Sequence, residues 1–161
     1  MKIELKNIKV NKMFSEETTC FTADVFINGK KTAYAKNDGR GGNTNIQPYV
    51  GMSLNEVYNF CKTLPKKFGY PQTLDSIIDD LLFEKEKEKE QKKINKLCLT
   101  NIVWGKENGT SYTKISFKGS PKLEDLKKTT VGKTALKSLI EKVKKEYMKE
   151  GEVLFNDNLA I

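Results

Sequence analysis

The segment Lys36-Asn37-Asp38-Gly39-Arg40-Gly41-Gly42-Asn43-Thr44-Asn45 gathers the residue types best suited to holding a ligand. Glycines at 39, 41 and 42 free the backbone for positive φ and let a ligand approach the main chain closely. Successive amides in such a loop can form an anion-binding nest. Lys36 and Arg40 would add charge, and the arginine offers a planar fork matched to phosphate. Asn37, Asp38, Asn43 and Thr44 can read sugar hydroxyls or base edges. The segment matches neither GxGxxG nor a P-loop. The same composition also describes a plain long connection between strands.

A second concentration of charge lies at Lys127, Lys128, Lys133 and Lys137, around the start of a helix. Lysines placed there can contact a phosphate backbone. Gly132-Lys133-Thr134 invites comparison with a Walker A sequence, but Lys127 stands where that motif needs its first glycine. Between Lys127 and Lys137 the chain faintly resembles the last helix of double-stranded-RNA-binding domains. A solvated helix face accounts for the same lysines.

The net charge of +8, spread over both halves, favours anionic partners. There is no histidine, so Ser-His-Asp triads, Cys-His dyads and His-ligated metal sites cannot be built from this chain alone. Cys20, Cys61 and Cys98 form no CxxC pair, which argues against a disulfide framework or structural zinc. No cofactor and no metal is expected, and no pair of carboxylates demands catalysis. Asp75, Asp79 and Asp80 read as charges near a helix N-terminus. Tyr34, Phe26, Trp104 and Tyr112 fall in predicted strands, where aromatics serve either as a stacking platform or as core and cross-strand pairs. Met1 to Val10 lacks the apolar run of a signal peptide, and no stretch has the apolar length of a membrane span. The expected location is the cytoplasm, with no membrane partner.

Around these candidates the periodicity predicts a single α+β domain over 1–161: a β-meander and Gly-rich loop at 1–50, helices at 53–97, and a hairpin, helix and short final strand at 98–161. Ile3 and Leu5, then Ile8 and Val10, alternate with a phase slip that predicts a bulge near Lys6-Asn7. Phe21 to Ile27 and Lys31 to Lys36 form a hairpin across Asn28-Gly29, the residues a type I′ turn favours. Ser53 is the expected cap of a helix over 54–63. Thr73 caps a longer one, whose apolar stripe of Leu74, Ile77, Ile78, Leu81 and Leu82 gives way to a charged run from Glu84 to Lys93. That run reads as a solvated spacer or as an arm that docks a partner. A second hairpin joins Cys98–Trp104 to Thr110–Lys118 across Lys106-Glu107-Asn108-Gly109. The expected architecture is therefore an antiparallel sheet, from a three-stranded meander and a second hairpin, packed with three helices. One of these helices is long and partly projects into solvent.

One further pattern carries a family mark. Ser15-Glu16-Glu17-Thr18, Ile27-Asn28-Gly29-Lys30-Lys31 and the Lys36–Gly42 stretch, all within residues 1–45, resemble small proteins of unassigned function from bacteriophages and mobile elements. The resemblance implies an accessory protein acting in a bacterial cytoplasm, of a kind that often binds and blocks something. The partners it suggests are an anionic ligand such as a nucleotide messenger, or a host defence protein. Homo-oligomerisation and a nucleic-acid-binding role through the Lys127–Lys137 lysines remain alternatives.

Overall fold

A computed structural model of the chain describes residues 1–107, 111–156 and 159. It is α+β, with two antiparallel sheets. The chain forms two compact units, Met1–Glu86 and Lys87–Ile161.

In the first unit, strands β1 (Ile3–Val10), β2 (Phe21–Ile27), β3 (Lys30–Asn37) and β4 (Asn45–Pro48) lie in that order. The expected bulge is present: the β1–β2 register shifts between Lys6 and Lys9, and Asn7 takes φ 52°. Asn28 and Gly29 both have positive φ, at 48° and 82°, as their tight turn requires. One sheet face presents Leu5, Phe21, Ala23, Val25, Ala33 and Ala35 to the core. The alanines of β3 leave room for helix α1 (Asn55–Thr63), through Val57 and Cys61, and for the first turns of helix α2 (Leu74–Leu97), through Leu74, Ile78 and Leu82. Leu54, not Ser53, occupies the capping position of α1; the Ser53 hydroxyl only accepts a 3.3 Å bond from the Asn55 amide. Thr73 does cap α2, in a reciprocal arrangement. Its hydroxyl accepts from the Ser76 amide and its amide donates to the Ser76 hydroxyl.

Helix α2 is continuous through the charged run, whose residues from Phe83 to Lys93 are exposed or half-buried. Glu90 and Lys93 pair there at 3.3 Å. Its last turns belong to the second unit, where Ile94 packs with Cys98 and Val103.

The second unit's sheet runs β6 (Tyr112–Ser116), β5 (Asn101–Lys106), β7 (Glu152–Leu154). Helix α3 (Leu123–Leu126) and helix α4 (Thr130–Lys142), followed by a π-helical turn to Tyr147, complete it. The core there is Ile102, Trp104, Leu123, Leu136 and Val143. Trp104 is 4% exposed, so it is a core residue and not part of a stacking platform. The expected hairpin turn at Asn108-Gly109 and the strand start at Thr110 lie outside the described residues. Among the described residues no helix is long and apolar enough to cross a membrane.

Asn156 closes this unit. Its Oδ1 accepts from the Val103 amide at 2.7 Å, and its Nδ2 donates to the carbonyls of Asn101 and Cys98 at 2.8 and 3.2 Å. Removing a buried side chain that bonds three backbone groups deprives each of them of that bond. Asn156→Ala is expected to destabilise the second unit by about 3 kcal/mol. Urea unfolding followed by the fluorescence of Trp104 measures it.

Candidate functional site

The Gly-rich segment connects β3 to β4, and its conformation is set by a second loop. Between β1 and β2 the chain makes a 3₁₀ turn at Lys12–Phe14, capped by Asn11. It then presents the amides of Glu16, Glu17 and Thr18 to one acceptor, the carbonyl of Gly39, at 2.9, 3.0 and 3.3 Å. The approach is so close that a Cβ on Gly39 would lie 1.9 Å from the Phe14 carbonyl oxygen, and its φ of +86° independently disfavours a side chain.

Asn37 supplies the other half of the clasp. Its Oδ1 accepts from the Thr18 hydroxyl at 2.7 Å and the Gly39 amide at 2.9 Å. Its Nδ2 donates to the Gly42 carbonyl and the Thr44 hydroxyl at 3.3 and 3.4 Å. Thr44 in turn donates to Asp79 on α2 at 2.6 Å. The segment is thus a hydrogen-bonded structure and not a loose connection. The amides of Gly39 and Gly41 are spent internally, on Asn37 Oδ1 and on the Thr18 hydroxyl, so neither is available to an anion.

Two clefts flank the clasp, and Asn37 lines both. The first, of 370 Å³, lies over the outward face of β3 and β4. Tyr34 pairs with Gln47 and Lys36 with Asn45 across the two strands, which places these four side chains on one face. Asp38, Gly41 and Asn43 wall the cleft from the loop. Its lining is carboxamides, a phenol and one ion pair, Lys36–Asp38 at 2.8 Å. Asp38 accepts a hydrogen bond from the Lys36 ammonium and raises its pKa. Both partners are exposed, so the pair contributes little to stability and can be exchanged. Arg40, between Gly39 and Gly41 in the loop, is exposed, is not part of the cleft's lining and has no ion pair among the described residues. The arrangement can bind a polar group with donors and acceptors on its edge and an anion near Lys36.

The second cleft, of 270 Å³, has Phe21 and Leu82 in its lining with Phe83, Asp79 and Glu86. Burial raises the pKa of Asp79, against the hydrogen bond from Thr44. This cleft is acidic and apolar where the first is polar.

Of the residues singled out in the sequence, Lys36, Asn37, Asp38, Gly41 and Asn43 line the first cleft. Gly39 and Thr44 work as structure. Gly42, with φ +87°, has open space where a side chain would stand. Asn45 ended the segment singled out in the sequence; Gln47 and Tyr34 were not assigned to the site, although Tyr34 stood among the aromatics. No local signal places Asn45 and Gln47 there, because only pairing with β3 makes their segment a strand. Also unforeseen is Asp24, beside Tyr34 in the neighbouring strand. It accepts from Tyr49, Asn7 and Lys31 at 2.6, 2.7 and 2.9 Å, and these bonds, Tyr49 foremost, lower its pKa from 3.8 to about 2.

Among the lysines, Lys128 is paired with Asp125 at 2.6 Å and Lys127 is half-buried. Lys133 and Lys137 are exposed one turn apart on α4. Gly132 is explained by packing, since a Cβ there would meet the Leu126 carbonyl at 2.1 Å. Phe26 and Tyr112 are half-buried beneath Lys6 and Lys93, at 4.3 and 5.4 Å from the ring centres. Comparison of the chain with protein families, with curated proteins and with solved structures finds no match in any of the three.

Two expectations follow for the first unit. Gly39→Ala should abolish the ordered loop, whereas Gly42→Ala should cost only about 1–2 kcal/mol of backbone strain; amide hydrogen exchange at 16–18 separates the two. Asp24 has a depressed folded-state pKa, so its contribution is present above pH 3.8 and lost as pH falls through about 2. Asp24→Asn should therefore cost about 2 kcal/mol at neutral pH. In urea titrations the gap from the parent protein should close as the pH falls through that window.

Proposed function

We propose that this chain is a non-enzymatic binding protein whose first unit holds a compact anionic ligand of nucleotide class in the β3–β4 cleft. The observation that carries the reading is the cleft itself: 370 Å³, walled by a loop fixed from both sides. That volume is at the lower end of small-molecule sites. Tyr34 offers an aromatic surface for a base, and Asn43, Asn45 and Gln47 offer paired donors and acceptors for base edges or sugar hydroxyls. The phosphate would take Arg40 and draw Lys36 from Asp38, a bidentate guanidinium contact being the stronger. Binding rests on these side chains and not on a nest of glycine amides, because two of those amides are already bonded. In the phage or mobile-element setting that the N-terminal resemblance implies, such a protein would act in the bacterial cytoplasm and sequester a nucleotide messenger.

Thermal unfolding against mono-, di- and cyclic nucleotides and short RNA and DNA duplexes tests this. One nucleotide class should raise the transition by several degrees at saturating concentration, since ligand bound only to the folded form stabilises it. Arg40→Ala should weaken that ligand about 10- to 100-fold, the loss of a charged hydrogen bond, without changing the unliganded transition. A panel without response sinks the proposal. A duplex response that falls steeply with salt, and is lost in Lys133→Ala but not in Arg40→Ala, moves the function to the α4 lysines.

A further inference from the structure

Among the described residues, Asp38 is the one acid in the lining of the β3–β4 cleft, and its backbone is fixed on both sides. Asn37, before it, makes four side-chain hydrogen bonds, and the Gly39 carbonyl, after it, accepts from three amides. The carboxylate is therefore carried on a rigid stem, although the side chain is 72% exposed. Its Oδ1 meets the Lys36 ammonium at 2.8 Å, and among the described residues no other donor reaches it. Around it the side chains of Tyr34, Asn43, Asn45 and Gln47 make no hydrogen bond within the chain among the described residues. Asn7, Asn11, Asn28 and Asn37, at the other bends and turns of this sheet, are all bonded. The cleft thus gathers polar side chains that the fold itself does not use.

A ligand whose phosphate draws Lys36 away leaves a fixed carboxylate facing the cleft without a donor. A carboxylate beside an anion is unfavourable unless something else bonds it, so the ligand itself must bring N–H groups to that place. Among the nucleobases, guanine presents two adjacent donors on one edge, N1–H and the exocyclic amino group at C2. Their spacing matches the two oxygens of a carboxylate, the bidentate geometry in which charged hydrogen bonds are strong. Adenine turns an unprotonated ring nitrogen to the same oxygens, and uracil flanks its single N–H with two carbonyls. The guanine carbonyl at C6 needs a donor next to the carboxylate, and the carboxamides of Asn43, Asn45 and Gln47 supply donors at this cleft. We infer that Asp38 reads the edge of a guanine base, so that the ligand of the cleft is a guanine nucleotide with its base against Tyr34 and its phosphate on Lys36. This assignment rests on the nucleotide reading proposed above.

Calorimetric titration of the full chain with guanosine, inosine, adenosine and xanthosine 5′-monophosphates tests this. The guanosine nucleotide should bind tightest. The inosine nucleotide, which lacks the amino group at C2, should bind about 10-fold more weakly, and the adenosine nucleotide about 100-fold. Asp38→Asn should invert the preference toward xanthosine, because a carboxamide accepts from N1–H and donates to the carbonyl that xanthine carries at C2. The unliganded variant should unfold at the parent temperature, since an exposed ion pair contributes little. Lys36→Ala should weaken every nucleotide by a similar factor and leave their order unchanged. Equal affinity for the guanosine and adenosine nucleotides overturns the guanine assignment and leaves the nucleotide reading standing. So does an Asp38→Asn variant that keeps the parent's preference. Should none of the four bind, the guanine assignment falls, and the thermal panel then decides whether the nucleotide reading falls with it.

Discussion

Asn37 sits where β3 leaves the sheet, and groups from two loops converge on its side chain: the Thr18 hydroxyl from one, and the Gly39 amide, the Gly42 carbonyl and the Thr44 hydroxyl from the other. The residue is 6% exposed, so each of these bonds forms away from competing water and each would be expensive to leave unmade. A carboxamide suits the position because it donates and accepts at once. Aspartate could accept from Thr18 and Gly39 but would have nothing to donate to the Gly42 carbonyl. Through Thr44 the constraint reaches Asp79, and so the first turns of α2 are tied to the loop at the sheet's end. The two clefts have Asn37 in common as a lining residue. One is polar with an exchangeable ion pair; the other is acidic over aromatic carbon.

The second unit repeats this solution with different segments. Asn156 is 4% exposed and bonds Val103, Asn101 and Cys98, joining the last residues of the unit to β5 and to the end of α2. In both units a buried asparagine supplies the backbone partners that regular pairing does not. The charged stretch of α2 is of another kind. Its mid-section keeps helical form with few buried side chains, so local propensity and ion pairs such as Glu90–Lys93 hold it.

The sequence makes legible whatever rests on local periodicity. The bulge at Asn7, the Asn28-Gly29 turn, the Thr73 cap and the length of α2 all follow from spacings of a few residues. Strand β4 is not legible: Asn45-Ile46-Gln47-Pro48 is polar, short, and ends in proline, and only its pairing with β3 makes it a strand. Helix α3 is a single turn, too short for periodicity to register. The burial of Trp104 comes from α4 and its following turn, including Tyr147 at 6.2 Å between ring centres. The Gly-rich segment stands out by composition, but composition could not separate the roles of its residues. Gly39 answers to Phe14 and Asn37 answers to Thr18, partners that lie far back in the chain.

The carbonyl of Gly39 receives its three amides from the loop between β1 and β2, which gives the two loops a shared history. A residue inserted between Phe14 and Cys20 would displace the donors from that carbonyl even if β3 and its glycines were untouched. Lengthening the β3–β4 loop would displace the acceptor. Neither loop can drift in length alone, so descendants of this chain should change both together or neither. A lineage that keeps the glycines but alters the spacing of Ser15, Thr18 and Cys20 has kept the appearance of the loop and lost its architecture.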